Sequence, residues 1–196
     1  MTPNTDNRLS SLWEGCLKND RKQQEALYKL LAPKMLTVCL RYAKDKDEAQ
    51  DILQEGFIKM FNNLERYRQE GEFGAWLRKI MVNTSINYLK KNTRYNAELV
   101  FNDMDLAPVI TDIGSDNPET TLNSKQMLSL VRQLPAGYQA IFNLHAIEGY
   151  SHVEIGGVLG ISDATSRTQF FKARKLLRKW ITEMETPNAK LNNDAG

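Results

Sequence analysis

Residues 148–180 read EGYSHVEIGGVLGISDATSRTQFFKARKLLRKW, and the punctuation of this stretch decides the fold. Glu148-Gly149-Tyr150 breaks the chain, and Ser151-His152-Val153-Glu154 follows as a capping box. In that pattern the serine hydroxyl accepts from the Glu154 amide, and the Glu154 carboxylate reaches back to the amide of Ser151. The short helix so opened carries Val153, Ile155, Val158 and Leu159 and stops at Gly160-Ile161. Ser162 starts another helix over Asp163–Trp180, with Phe170, Ala173, Leu176, Leu177 and Trp180 at its apolar positions. Two helices joined by a short glycine-containing turn make a helix-turn-helix. The second is basic: between Ala164 and Thr182 stand Arg167, Lys172, Arg174, Lys175, Arg178 and Lys179, with no acidic residue. A basic run alone is usually a solvated face; with the capping box and turn before it, duplex DNA is the expected partner.

A helix that reads duplex DNA sends its N-terminal side chains to base edges and its basic flank to phosphates. Thr165, Ser166, Arg167, Thr168 and Gln169 fit the first role, and Lys172, Arg174, Lys175 and Lys179 the second. Arg167 suits a bidentate guanine contact, although Asp163 four residues earlier offers it a surface ion pair instead.

Working outward, a helix over 122–133 stops before Pro135, because the residue before proline is biased away from helix. Tyr138–Ile147 follows with Ala140, Ile141, Leu144 and Ile147 inward. Upstream, Ala26, Leu27, Leu30 and Leu31 form one stripe, and Met35, Leu36, Cys39, Leu40 and Ala43 another after Pro33. Ala49, Ile52, Leu53, Gly56, Phe57, Met60, Phe61 and Leu64 make a third, and Phe73, Trp76, Leu77, Ile80 and Ile86 a fourth. These periods are helical and strand alternation is absent. The expected fold is all-α: two small helical domains, residues 1–94 and 122–184, joined by a flexible acidic linker over 95–121, with a disordered tail at 185–196.

The linker follows from charge. The 196 residues carry a net charge of only +2, which hides a strong asymmetry. Residues 1–94 hold 17 Lys/Arg against 12 Asp/Glu, and residues 125–196 hold 9 against 6. Residues 95–124 hold no basic residue and six acidic ones, together with Pro108, Gly114 and Pro118. Two basic ends and an acidic, proline-broken middle suit two nucleic-acid-facing modules and a strap. The two cysteines, Cys16 and Cys39, lack CxxC spacing, so zinc fingers and disulfide scaffolds are excluded and both read as small buried hydrophobes. No stretch approaches the ~18 apolar residues of a membrane span. A cytoplasmic, reduced protein without membrane insertion is expected.

Between Glu65 and Arg94, aromatic and basic residues interleave: Arg66, Tyr67, Arg68, Phe73, Trp76, Arg78, Lys79, Tyr88, Lys90, Lys91 and Arg94. Single-stranded nucleic acid is held by stacking in a positive groove, and an unstacked base needs a pocket. The loop 65–72 between two helices could supply one. Phe73 and Trp76 also fit a core stripe, which leaves Tyr67 and the basic residues as the expected contacts. On the preceding helix Asp47, Asp51, Gln54 and Glu55 share a face away from Leu53, Phe57 and Met60. Paired carboxylates can be catalytic, but no partner base or metal set accompanies these. A polar docking surface and a plain solvated face remain. No catalytic residue, metal or cofactor is expected.

Asp47, Asp51, Gln54-Glu55 and Phe57 resemble region 2.2 of bacterial sigma factors. The run from Phe73 through Trp76-Leu77 and Ile80 to Asn83 is similar to regions 2.3 and 2.4. Leu134-Pro135, Tyr138, Ile141-Phe142, Leu144, Glu148-Gly149-Tyr150-Ser151 and Glu154-Ile155 resemble region 4. Order and length match the extracytoplasmic-function (ECF) subgroup over residues 20–182. The resemblance implies a dissociable specificity subunit of core RNA polymerase without catalytic activity. It implies docking of Asp47, Asp51, Gln54 and Glu55 on the β′ clamp helices, and a contact with the β flap. A non-template base of the −10 element would flip into the 65–72 loop, among Arg66, Tyr67 and Arg68. Arg78, Lys79, Asn83, Lys90 and Lys91 would follow the strand. The −35 duplex would meet Thr165, Ser166, Arg167, Thr168, Phe171, Lys172, Arg174 and Lys175. The acidic linker would thread the polymerase's basic channel, and an anti-sigma factor is a further partner the family allows. One departure stands out: Ile155-Gly156 where the family usually has Ile-Ala, with Gly157 following, at about 1 kcal/mol per glycine in a helix.

Two other functions fit parts of the pattern. A conventional helix-turn-helix regulator with an N-terminal sensor or dimerisation domain would bind duplex alone and would not need the aromatic–basic interleaving. An enzyme acting on nucleic acid would need a metal-binding carboxylate set.

Overall fold

The computed structural model describes residues 3–67, 71–91 and 124–191. Among them every regular element is helical: α1 (Pro3–Leu17), α2 (Arg21–Cys39), α3 (Lys46–Asn62), a 3-10 turn (Leu64–Arg66), α4 (Phe73–Lys91), α5 (Ser124–Gln133), α6 (Ala136–Phe142), a π turn (Asn143–Ile147), α7 (His152–Leu159) and α8 (Asp163–Leu191). The chain forms two compact units, residues 1–88 and 89–196. The expected linker at 95–121 lies outside the described residues. Helix α8, expected over Asp163–Trp180, runs on to Leu191.

In the first unit, the stripe before Pro33 and the one after it as far as Cys39 belong to one helix, α2, opened by Asp20, whose carboxylate accepts from the amides of Lys22 and Gln23. Leu27, Met35, Cys39, Ala49, Ile52, Met60, Leu77 and Met81 are fully enclosed. Both cysteines are buried and free, and desolvation pushes the Cys39 thiol up to about 12. It is packing material, not a nucleophile. Helix α1 had no counterpart in the stripes above. Its Leu12 and Cys16 are buried where α1 packs on α2.

The second unit closes on Leu130, Val131, Leu134, Tyr138, Ala173, Leu177 and Trp180. The predicted Tyr138–Ile147 helix starts two residues earlier and widens into a π turn, with the Glu148 amide donating to the Asn143 carbonyl at 2.9 Å. The extra residue in that turn shifts the phase, so Ile147, expected inward, is 37% exposed. The two glycines of α7 differ in kind. A Cβ on Gly156 would stand 2.7 Å from the Ile161 carbonyl, whereas one on Gly157 would meet nothing. Gly156 is thus the point where α7 touches the turn leading into α8, and the Gly160 and Ile161 amides both donate to its carbonyl.

Candidate nucleic-acid interface

The capping box forms as the sequence specifies: the Ser151 amide donates to Glu154 Oε2 at 2.8 Å, and the Glu154 amide donates to Ser151 Oγ at 3.3 Å. Gly160 turns the chain in the left-handed region at φ 75°. Ser162 Oγ accepts from the Thr165 amide at 3.0 Å and so caps α8. The start of α8 is thereby fixed, and with it the direction each side chain takes.

Thr168, Arg167, Phe171, Arg174 and Lys175 lie exposed, Phe171 at 68%. Ala164, Thr165, Thr168, Gln169 and Lys172 line a shallow groove along the helix. Ser166 is a correction. It is fully buried, its hydroxyl 2.9 Å from His152 Nδ1, and so cannot reach a base edge. Gln169 is buried as well, and neither amide atom finds a partner among the described residues. Arg167 makes the ion pair with Asp163 that the spacing allowed, at 3.4 Å. Arg174 sits over the Phe170 ring at 5.7 Å.

Beneath this surface the chain's two histidines stack, ring centroids 4.1 Å apart, and His145 meets Phe170 edge-on at 4.5 Å. The π turn is what places His145 here. Its Nδ1 lies 2.8 Å from the Tyr150 carbonyl, which can only accept, so Nδ1 carries a proton. Burial first, then His145 and Arg167, hold the His152 imidazole below its ordinary value, with Asp163 opposing. The folded domain therefore prefers neutral His152, while the unfolded chain protonates at the ordinary value. Stability present above pH 6.5 is lost as pH falls through the lower folded value. The thermal midpoint of the protein is therefore expected to be lower at about pH 5.5 than at about pH 7.5. His152→Gln should flatten that drop. An equal drop in both proteins would remove the histidine pair as its cause.

On α3, Asp45 caps the helix by accepting from the Glu48 amide at 2.9 Å. Asp47, Asp51 and Gln54 are exposed along one line, and the next position on that line, Ile58, is 60% exposed. Ile58 was not among the sequence candidates; its i+4 spacing from Gln54 is the signal that finds it. Glu55 leaves the line. It is half-buried and pairs with Lys59 at 2.6 Å, and Lys59 also reaches Thr84 Oγ1 on α4 at 3.4 Å.

Along α4, Lys79, Asn83, Asn87 and Lys90 form an exposed stripe, with Arg78 half-buried and Lys91 exposed at the helix end. Arg66 is exposed, and Arg68 lies outside the described residues. Tyr67 differs from the expectation that set it apart from Phe73 and Trp76. It packs on both, at 5.1 and 5.2 Å. Phe73 is buried in the core and Trp76 half-buried, and Tyr67 joins them in one aromatic cluster instead of standing free beside them. Among the described residues no group of three or more His, Cys, Asp or Glu is placed to hold a metal, and no helix is long and apolar enough to cross a membrane.

Known proteins share both units. Residues 27–95 match the family model Sigma-70 region 2, and residues 124–177 match Sigma-70, region 4. The ECF RNA polymerase sigma-E factor of Haemophilus influenzae is 28% identical over 178 residues, covering 87% of this chain and 94% of that protein. The ECF RNA polymerase sigma factor SigW of Bacillus subtilis is 26% identical over 174 residues, covering 85% and 93%. The fold is similar to that of the sigma factor RpoE of Bartonella quintana, solved with the anti-sigma factor NepR, at a TM-score of 0.51, 17% identity and coverage of 81% and 96%. Two helical units carrying regions 2 and 4 in order place the chain in one family: it is an ECF-type RNA polymerase sigma factor, a non-enzymatic subunit that binds RNA polymerase and promoter DNA and directs transcription initiation.

Proposed function

We propose a division of labour among three surfaces. The outward face of α8 reads the −35 duplex, with Arg167, Thr168, Phe171 and Lys172 nearest the bases and Thr165, Arg174 and Lys175 beside them. The 65–72 loop and the exposed stripe of α4 capture the melted −10 strand, through Arg66, Tyr67, Arg68, Arg78, Lys79, Asn83, Lys90 and Lys91. The line Asp47, Asp51, Gln54 and Ile58 on α3 docks on the β′ clamp helices, while Glu55 serves the packing of α3 on α4. Residues 95–121 form the acidic strap toward the polymerase's basic channel, and region 4 meets the β flap. The protein works in the cytoplasm, and an anti-sigma factor would hold it there until released.

The observation that carries this reading is the presentation of α8. A capped helix offers an exposed aromatic at Phe171 between basic side chains, over a groove of small and polar residues. That is what a major groove requires of its reader. Run-off transcription with core polymerase tests it. Promoter-specific transcripts should appear only with core present, and the free protein should bind promoter duplex weakly. A tight footprint by the free protein would favour a conventional helix-turn-helix regulator.

A further inference from the structure

Trp13 projects from α1 onto the segment assigned to −10 capture. Its ring stands edge-on to Tyr67, centroids 6.3 Å apart and planes at 78°. Tyr67 is thus held by three rings, since Phe73 meets it edge-on and Trp76 lies tilted against it. The Tyr67 hydroxyl donates to the Gly71 carbonyl at 2.6 Å, tying together the two flanks of the capture loop. Gly71 has φ 102°, a backbone state that glycine takes without strain. Trp13 itself lies outside the region 2 match, which begins at residue 27.

The indole Nε1 of Trp13 is buried and has no hydrogen-bond partner among the described residues. A buried donor without an acceptor is a cost that a phenylalanine would not carry. The interaction the ring does make is the edge-on contact with Tyr67. An aromatic edge directed at a neighbouring ring is favourable beyond the area it buries. It also restricts the ring it touches.

We propose that Trp13 is a positioning residue for capture of the melted −10 strand: its edge fixes Tyr67, and through the Tyr67–Gly71 hydrogen bond it holds Tyr67 and Gly71 together where an unstacked base is to be received. The proposal rests on the assignment of the 65–72 loop to −10 capture. Its physical content is preorganisation. A base leaving the duplex gives up its stacking, and a receptor that must also order itself on binding recovers less of that loss.

Holoenzymes carrying Trp13→Ala, Trp13→Phe, Tyr67→Ala and the Trp13→Ala/Tyr67→Ala pair test this. Opening is read from 2-aminopurine placed in the −10 non-template strand, beside competition for core and binding to −35 duplex. Trp13→Ala should lower the opening equilibrium about fivefold to tenfold, in the range of a lost aromatic pair. Core competition and duplex binding should stay unchanged. Trp13→Phe, which keeps a ring edge and drops the orphaned donor, should restore most of the opening. The double variant should open no worse than Tyr67→Ala alone, because one contact is being removed twice. Additive losses, a defect that phenylalanine does not relieve, or an equal loss of core binding would each overturn the role of Trp13. Undiminished opening with Tyr67→Ala would instead sink the capture assignment itself.

Discussion

Arg167→Ala lowers occupancy of the −35 element by about 5- to 150-fold, the equivalent of about 1–3 kcal/mol, and relaxes discrimination at one base pair. Two uses of the same guanidinium compete. In the free protein Arg167 pairs with Asp163 at 3.4 Å, with side chains 62% and 50% exposed. A solvent-exposed pair of this kind contributes at most about 1 kcal/mol. A bidentate contact to guanine contributes about 1–3 kcal/mol of discrimination. On these magnitudes the DNA contact is expected to displace the ion pair. Binding of the variant to a set of −35 sequences, each altered at one position, gives the check. A uniform loss across all of them would make Arg167 a phosphate contact.

The parts of this protein that local pattern determines were legible in its sequence. The capping box, the Gly160 turn and the basic run sit within a few residues of one another. Each is a short-range device, so reading them needs no knowledge of the rest of the chain. The helix phase was harder. Ser166 and Arg167 are neighbours, yet one is buried against His152 and the other faces solvent. Extending the stripe of Phe170, Ala173 and Leu177 back by four and seven residues lands on Ser166, and that spacing could have separated the two. The π turn was illegible: nothing in Asn143–Ile147 marks the extra residue, although it moves Ile147 outward and brings His145 onto His152. The aromatic cluster lay furthest out of reach. Tyr67 gains its third ring from α1, and pairing of rings so distant in sequence is a tertiary outcome that no window along the chain contains. The Glu55–Lys59 pair, by contrast, is an ordinary i,i+4 contact. It could have separated Glu55 from Asp51 and Gln54 at the start.

That separation decides the second large effect. A docking face for a helical partner needs exposed side chains in line, and the line on α3 is Asp47, Asp51, Gln54 and Ile58. An apolar side chain 60% exposed, with acidic and amide neighbours on its own stripe, has the make-up of an interface centre with a polar rim. Ile58→Glu combined with Gln54→Ala is expected to reduce competition for core polymerase by at least about 30-fold, the weight of about 2 kcal/mol carried by one central anchor. The fold should survive, because both positions are exposed and the Asp45 cap and the Glu55–Lys59–Thr84 tie to α4 are untouched. Glu55→Gln makes the opposite case. Weakening that tie should lower the thermal midpoint while leaving competition for core close to that of the unaltered protein. If Glu55→Gln abolishes core binding in a folded protein and the Ile58 pair leaves it intact, the docking line runs through Glu55 and not through Ile58.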